Sequence, residues 1–166
     1  MLSCFGRAQL LDTLCALTDG HRRIVTRAVL EEVRAGLGEY PALGDVPLTN
    51  WLEEVRSDSL TELRAFSEYV RILGAGRRDV GEASILAWAE ANGGVAVIDD
   101  QAGVDAAKRR GVTVRRTLTV ISNGVVTGLL TGAGAAQIID DLRIGGARFP
   151  CDGASFVAWA KKNGLL

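Results

Sequence analysis

Four consecutive apolar residues, Val95-Ala96-Val97-Ile98, follow Asn92-Gly93-Gly94 and stop abruptly at two carboxylates, Asp99 and Asp100. A run this short and this sharply bounded suits a strand buried on both faces, as in a parallel sheet. Parallel strands need a crossover of a dozen or more residues, ordinarily a helix. The flanking sequence supplies helices on both sides. DVGEASILAWAEANGG, beginning at Asp79, is a strong helical stretch stopped by its glycines, and a second helix is predicted from about Ala102 to Arg110. Gly111 then leads into Val112–Val114, another short apolar strand. Helix, strand, helix, strand predicts an α/β fold, a three-layer sandwich around a parallel sheet. Ligands in such sheets bind beyond the carboxyl ends of the strands, where Asp99 and Asp100 stand.

The rest of the chain is consistent with that class. Phe5, Leu10, Leu11, Leu14 and Leu17 share a helical face, predicting one helix over 4–17 that ends at Asp19-Gly20. After the apolar pair Ile24-Val25, Thr26 can cap a helix that turns Ala28, Val29, Val33 and Leu37 inward. Glycines and two prolines mark 36–47 as a loop, and Leu48–Val55 reads equally as a strand or a helix edge. Leu60, Leu63, Phe66, Val70 and Leu73 predict a helix over 59–73, followed by a loop at Gly74–Arg78. Helical stretches from 117, around Ala135–Leu142 and over Asp152–Asn163 close the chain. With 166 residues and neither internal repeats nor low-complexity tracts, one domain is the simplest account.

Three groups of acids draw attention. Asp99 and Asp100, adjacent at a strand end, oppose each other's ionisation unless a divalent cation lies between them; the alternative is a plain N-cap for the next helix. Asp79 and Glu82 have the spacing of a capping box. Gly81, however, is a poor helix former and would let a ligand or another backbone approach. Glu32 neighbours Val29 and Val33 at the edge of an apolar face, whereas Glu31 points away, and most such glutamates are simply solvated. Lys108, Arg109, Arg110, Arg115 and Arg116 straddle the second strand and could grip phosphates; for Lys108 to Arg110 the duller reading is a helix end with cations opposing its dipole.

Other chemistries lack their residues. The three cysteines are far apart with no CxxC, and His21 alone cannot complete a zinc site with them, so reduced thiols in the cytoplasm are expected. Glycines 124, 128, 132 and 134 form neither GxGxxG nor a Walker loop, no GxSxG exists, and one histidine cannot serve a triad. No stretch has the length of a membrane span, and Arg7 and Asp12 interrupt the apolar start in a way that argues against a signal peptide. A formal net charge of −1 means that any nucleic acid must be held by a local patch or by metal ions.

Taken in order, Gly6–Asp12, Ala28–Val33, Asp79–Ala83, Val97–Asp100, Gly111–Val114 and Thr117-Leu118 resemble the PIN-domain family, in its branch of small prokaryotic nucleic-acid-binding proteins. The likeness runs through nearly the whole chain, to the Asp140-Asp141-Leu142-Arg143 helix and the tail beyond. It implies a PIN-like (5′-3′ exonuclease-like) architecture and Mg²⁺- or Mn²⁺-dependent cleavage of RNA. Carried over, the metal-binding and catalytic acids are Glu32, Glu82 and Asp100, with Asp99 as an alternative or additional ligand. Arg115 and Arg116 would bind substrate, and Thr117 would line the site. Many PIN proteins are toxins paired with an antitoxin protein, and many form homodimers. The family opens on a strand ending in an Asp that Asp12, in LLDTL, does not match. The chain is therefore expected to be N-terminally truncated relative to the family. A catalytically impaired PIN scaffold that binds nucleic acid or protein is the competing expectation.

Overall fold

The alternation expected from the sequence is present in the computed structural model, which describes residues 1–74 and 79–166. The helices are α1 (Leu2–Arg7), α2 (Leu11–Leu17), α3 (Arg27–Ala35), α4 (Leu60–Leu73), α5 (Val80–Asn92), α6 (Gln101–Arg109), α7 (Thr117–Val126), α8 (Gly132–Ile144) and α9 (Gly153–Lys162). The strands are β1 (Ile24–Thr26), β2 (Glu53–Val55), β3 (Val95–Val97) and β4 (Thr113–Arg115), and a 3₁₀ segment covers Pro41–Leu48. Of the loop expected at Gly74–Arg78, residues 75–78 lie outside the described residues.

Three expectations about helix bounds and faces change. The opening helix is broken: Gln9 takes a left-handed φ of 57°, and α1 and α2 are separate helices on either side of it. In α3 the buried positions are Leu30 and Val33, while Ala28, Val29 and Leu37 are only half-buried. In α4, Leu60 and Leu63 face solvent and the buried set is Glu62, Ala65 and Tyr69. The Ser59–Glu62 capping box, closed by Glu62 N–H on Ser59 Oγ at 3.1 Å and Ser59 N–H on Glu62 Oε2 at 3.2 Å, fixes where α4 begins. Asn92 Nδ2 donates to Glu62 Oε1 at 2.8 Å, so that cap is also tied to the end of α5.

The strands are parallel, as expected, but they form two separate pairs among the described residues, β1 with β2 and β3 with β4. Ile24, Val25 and Thr26 register with Glu53, Glu54 and Val55, which settles the ambiguous Leu48–Val55 segment as a strand over its last three residues. Val95, Ala96 and Val97 register with Thr113, Val114 and Arg115. Two apolar clusters accompany the pairs. One gathers Phe5, Leu14, Val33, Ile121, Leu142 and Phe156; the other gathers Tyr69, Leu86, Ala87, Ala96, Ile98 and Ala107. α5 touches both β1 and β3, and so belongs to both halves.

A polar staple joins α4, α5 and α6. Arg110 donates from Nε and Nη2 to the two oxygens of Glu90 at 2.7 and 2.6 Å, and Tyr69 Oη donates to Glu90 Oε2 at 2.8 Å. The guanidinium also lies 5.3 Å from the Tyr69 ring centroid. Removing the shared acceptor leaves a buried phenol and a half-buried cation without it. Glu90→Ala should therefore cost about 2 kcal/mol of stability, measured by urea denaturation; a loss within error of zero would show the staple to be ornamental.

Candidate active site

The four acids singled out in the sequence come from three places on the fold. Glu32 projects from α3, Glu82 from the first turn of α5, and Asp99 and Asp100 follow β3 directly. All four line one cavity of about 650 Å³.

Their placement depends on contacts far apart in the chain. Asp79 occupies the N-cap position of α5 but its side chain makes no cap bond, so the expected Asp79–Glu82 capping box does not form. Glu32 Oε1 instead accepts the Gly81 N–H at 2.8 Å, capping α5 from α3. Gly81 is a glycine because of that approach: a Cβ there would stand 2.8 Å from Glu32 Cδ. Beside this bond, Thr26 Oγ1 and Ser84 Oγ are 2.6 Å apart and buried, and Ser84 Oγ donates to the Gly81 carbonyl at 2.7 Å. Thr26 precedes α3 without capping it, because its hydroxyl is spent on α5.

Asp99 is held rigidly. Its Oδ1 accepts the Thr117 N–H at 2.8 Å, and its Oδ2 accepts the Thr117 hydroxyl at 2.6 Å. The Met1 ammonium stands 3.7 Å from Asp99 Oδ2. Asp100 does serve as the N-cap of α6, Oδ1 accepting from Ala102 N–H at 2.8 Å and Gly103 N–H at 3.4 Å. The cap occupies one carboxylate oxygen and leaves the group at the cavity wall. Gly103, which no sequence pattern singled out, gives Glu82 its room: a Cβ would lie 2.7 Å from Glu82 Oε2 and 3.0 Å from Ile98 Cγ2.

Electrostatically, Glu82 is the most perturbed of the four. Burial, then the charge of Asp100, and more weakly Asp79 and Glu32, push its carboxyl up to about 7, against a smaller opposing effect of the N-terminal ammonium. Glu32 is raised as well, mainly by burial, although the Gly81 N–H favours its charged form. These carboxylates are near enough to oppose one another's ionisation. Even so, among the described residues no three His, Cys, Asp or Glu side chains stand close enough to form a ready-made metal cage.

The residues expected to bind substrate divide. Arg115 is exposed and lines the cavity. Arg116 is exposed and donates from Nη2 to Gln101 Oε1. Thr117 is fully buried behind Asp99, so it positions that carboxylate rather than meeting a substrate. Among the earlier basic residues, Arg110 belongs to the Glu90 staple, while Lys108 and Arg109 are exposed in the last turn of α6, where cations oppose the helix dipole. Asp79, Ser84 and Thr26 also shape the site. Of these, Asp79 and Thr26 stood out in the sequence only as caps, and the Thr26–Ser84 contact gave no signal because its partners are 58 residues apart.

A family model described as a PIN domain matches residues 1–155. No curated protein and no solved structure matches the chain. The glycine at 103 makes the packing of Glu82 testable. Gly103→Ala should cost about 1–2 kcal/mol despite its better helix propensity, since the methyl group must displace Glu82 or Ile98. In a Glu82→Ala background most of that cost should vanish, as read by a double-mutant cycle in urea; equal costs in both backgrounds would mean that the two residues do not meet.

Proposed function

This chain belongs to the PIN-domain family, and from that premise we propose that it is a ribonuclease that hydrolyses RNA phosphodiester bonds with the help of Mg²⁺ or Mn²⁺. The observation that carries the reading is the half-buried Glu82 carboxyl, raised to about 7 among Asp100, Asp79 and Glu32. Among the described residues no arginine or lysine pairs with these acids, only the Met1 ammonium near Asp99, and acids crowded into one cavity in this way form an arrangement that a divalent cation relieves. Glu82 and Asp100 would hold that cation, with Asp99 and Glu32 as further ligands; oxygen-only donors suit a hard metal. When bound, such a metal supplies charge neutralisation at phosphoryl oxygens and a water of lowered pKa.

The chain's own residues have definable tasks in this proposal. Thr117 fixes both oxygens of Asp99, so that carboxylate cannot rotate away from the cavity. Gly81 fixes Glu32, and Asp100 is held by the start of α6. Glu82, with no fixed hydrogen bond among the described residues, is free to take up or lose a proton near neutral pH. Arg115 and Arg116 would bind the phosphates on either side. The two strand pairs would form halves of the central layer of a three-layer sandwich. RNA is the proposed partner; an antitoxin protein, a homodimer and a cytoplasmic setting rest on family likeness alone.

A second reading, a catalytically impaired PIN scaffold that binds nucleic acid or protein, has one observation in its favour. No three metal-binding side chains stand together among the described residues. Activity separates the two. Purified protein with Mn²⁺ should cut single-stranded RNA, and Glu82→Gln should lower the rate at least a hundredfold; cleavage untouched by that change would remove Glu82 from the mechanism, and no cleavage at all would favour the scaffold.

Stability gives an independent check. Between the ordinary glutamate value of 4.5 and about 7, the folded chain keeps a proton on Glu82 that the unfolded chain has lost. Folding is therefore favoured below that window, and Glu82 subtracts stability progressively as pH rises through it. Glu82→Gln should raise the melting temperature more at about pH 8 than at about pH 5. At about pH 8, Mn²⁺ should raise the melting temperature of the parent chain and hardly that of the variant. Parallel pH curves for the two proteins would contradict the assigned environment.

A further inference from the structure

A second cavity, of about 570 Å³, lies where the ends of α1 and α8 meet Tyr40. It shares no residue with the acidic cavity, and its walls include Arg7, Gln9, Tyr40, Asp141, Ile144 and Gly146. The Arg7 guanidinium is held in place. Its Nε donates to the Ser3 carbonyl at 3.3 Å, its Nη2 reaches Cys4 Sγ at 3.7 Å, and its carbon lies 4.9 Å from the Tyr40 ring centroid. Gly146 leaves it room: a Cβ there would stand 3.3 Å from Nη1. Arg7 nevertheless pairs with no carboxylate among the described residues. Asp141, in the same walls, pairs with no cation among them, and its Oδ1 accepts only the Gln137 amide at 2.8 Å.

The rim adds a flat and an apolar surface, since Tyr40 and Ile144 are both exposed. Gln9 is exposed as well, and its left-handed backbone, a conformation kept only where the surroundings impose it, turns the chain beside the groove. A separate guanidinium and carboxylate in one groove restrict what can fill it. A phosphate or carboxylate ligand would satisfy Arg7 and be repelled by Asp141, and a cationic ligand would reverse that conflict. Guanine satisfies both. Its N7 and O6 are acceptors matched to the fork of an arginine, and its N1–H and 2-amino group, on another edge, are donors to a carboxylate. Adenine puts an amino group where the arginine needs an acceptor, and the pyrimidines have no N7.

We infer that this groove binds a guanine base beside the Tyr40 ring, with Arg7 on its N7 and O6 and Asp141 on its N1–H and 2-amino group. The volume is that of a pocket for a small flat ligand. Base-edge hydrogen bonds next to an aromatic side chain are the ordinary means of reading unpaired RNA. That the guanine belongs to RNA rests on the proposed nuclease function; the recognition of the base itself does not. The Met1 nitrogen stands 3.7 Å from Asp99, and α1 carries the chain roughly 9 Å from there to Arg7. One strand of RNA can therefore touch both sites, with the guanine near the bond that is cut.

The probe is guanosine 5′-monophosphate, titrated calorimetrically into the full chain with EDTA present. Saturable one-to-one binding is expected, tighter than that of adenosine 5′-monophosphate by about tenfold or more. Inosine 5′-monophosphate lacks the 2-amino group and 7-deazaguanosine 5′-monophosphate lacks N7, so each should bind about tenfold more weakly than the parent. In Asp141→Ala the inosine penalty should vanish while the 7-deaza penalty stays, and in Arg7→Met the reverse. Should the Arg7 variant fail to fold, Asp141→Ala with the two analogues still decides. No saturable binding, equal binding of the adenosine nucleotide, or an inosine penalty that survives Asp141→Ala would overturn the proposal. RNA cleavage by a chain that ignores the guanosine nucleotide would sink the groove alone. Guanosine nucleotide binding by a chain that cuts no RNA would sink the nuclease reading alone.

Discussion

The carboxylate of Glu32 ends on the N–H of Gly81 at 2.8 Å, and the geometry of the acidic cavity follows from that bond. The first turn of a helix carries unpaired N–H donors that some acceptor must satisfy. In α5 the local candidate, Asp79, leaves them alone, and a side chain 49 residues earlier does the work. That choice draws α3 onto the start of α5 and sets Glu32 beside Glu82. It also forbids any side chain at 81. The buried Thr26–Ser84 hydroxyl pair reinforces the same junction, so two polar contacts hold one corner of the cavity.

From that corner the charge pattern builds itself. Asp99 is fixed by two donors of Thr117, and Asp100 by the amides of α6, so Asp100 cannot turn away from Glu82 to relieve repulsion. Glu82 then carries the strain as a raised pKa, since burial and its neighbours both disfavour its charge. Groups perturbed in this way cluster at functional sites, although structural networks produce them too. The Tyr69–Glu90–Arg110 staple shows the contrast within the same molecule. There a guanidinium pairs with the carboxylate, and Glu90 is held low instead of pushed up.

The cavity is thus one space with two characters. Its acidic end gathers side chains from α3, α5 and the end of β3, while its apolar length runs along backbone edges that have no neighbour among the described residues. A divalent cation at the acidic end would answer that excess of negative charge. The core divides into two apolar clusters as the strands divide into two pairs, with α5 touching both sides.

Much of this was legible in the residues alone. Val95–Ile98 before Asp99 had to be a strand, because four apolar residues between glycines and carboxylates are too few for a helix. The α5 stretch, stopped at Gly93 in its left-handed conformation, and the parallel α/β class follow from the same local rules. The suspicion that Gly81 marks a close approach was also available locally. Hidden from the sequence were the partner at Gly81, the inward face of α4, the break at Gln9 and the split of the sheet into two pairs. Each depends on which distant group fills a space, and local propensity carries no information about that. The elements and their acids were readable from residue order because periodicity and turn chemistry act within a few residues. Tertiary structure alone decided which carboxylates face one another, because burial and charge repulsion depend on distances between atoms that the chain order does not encode.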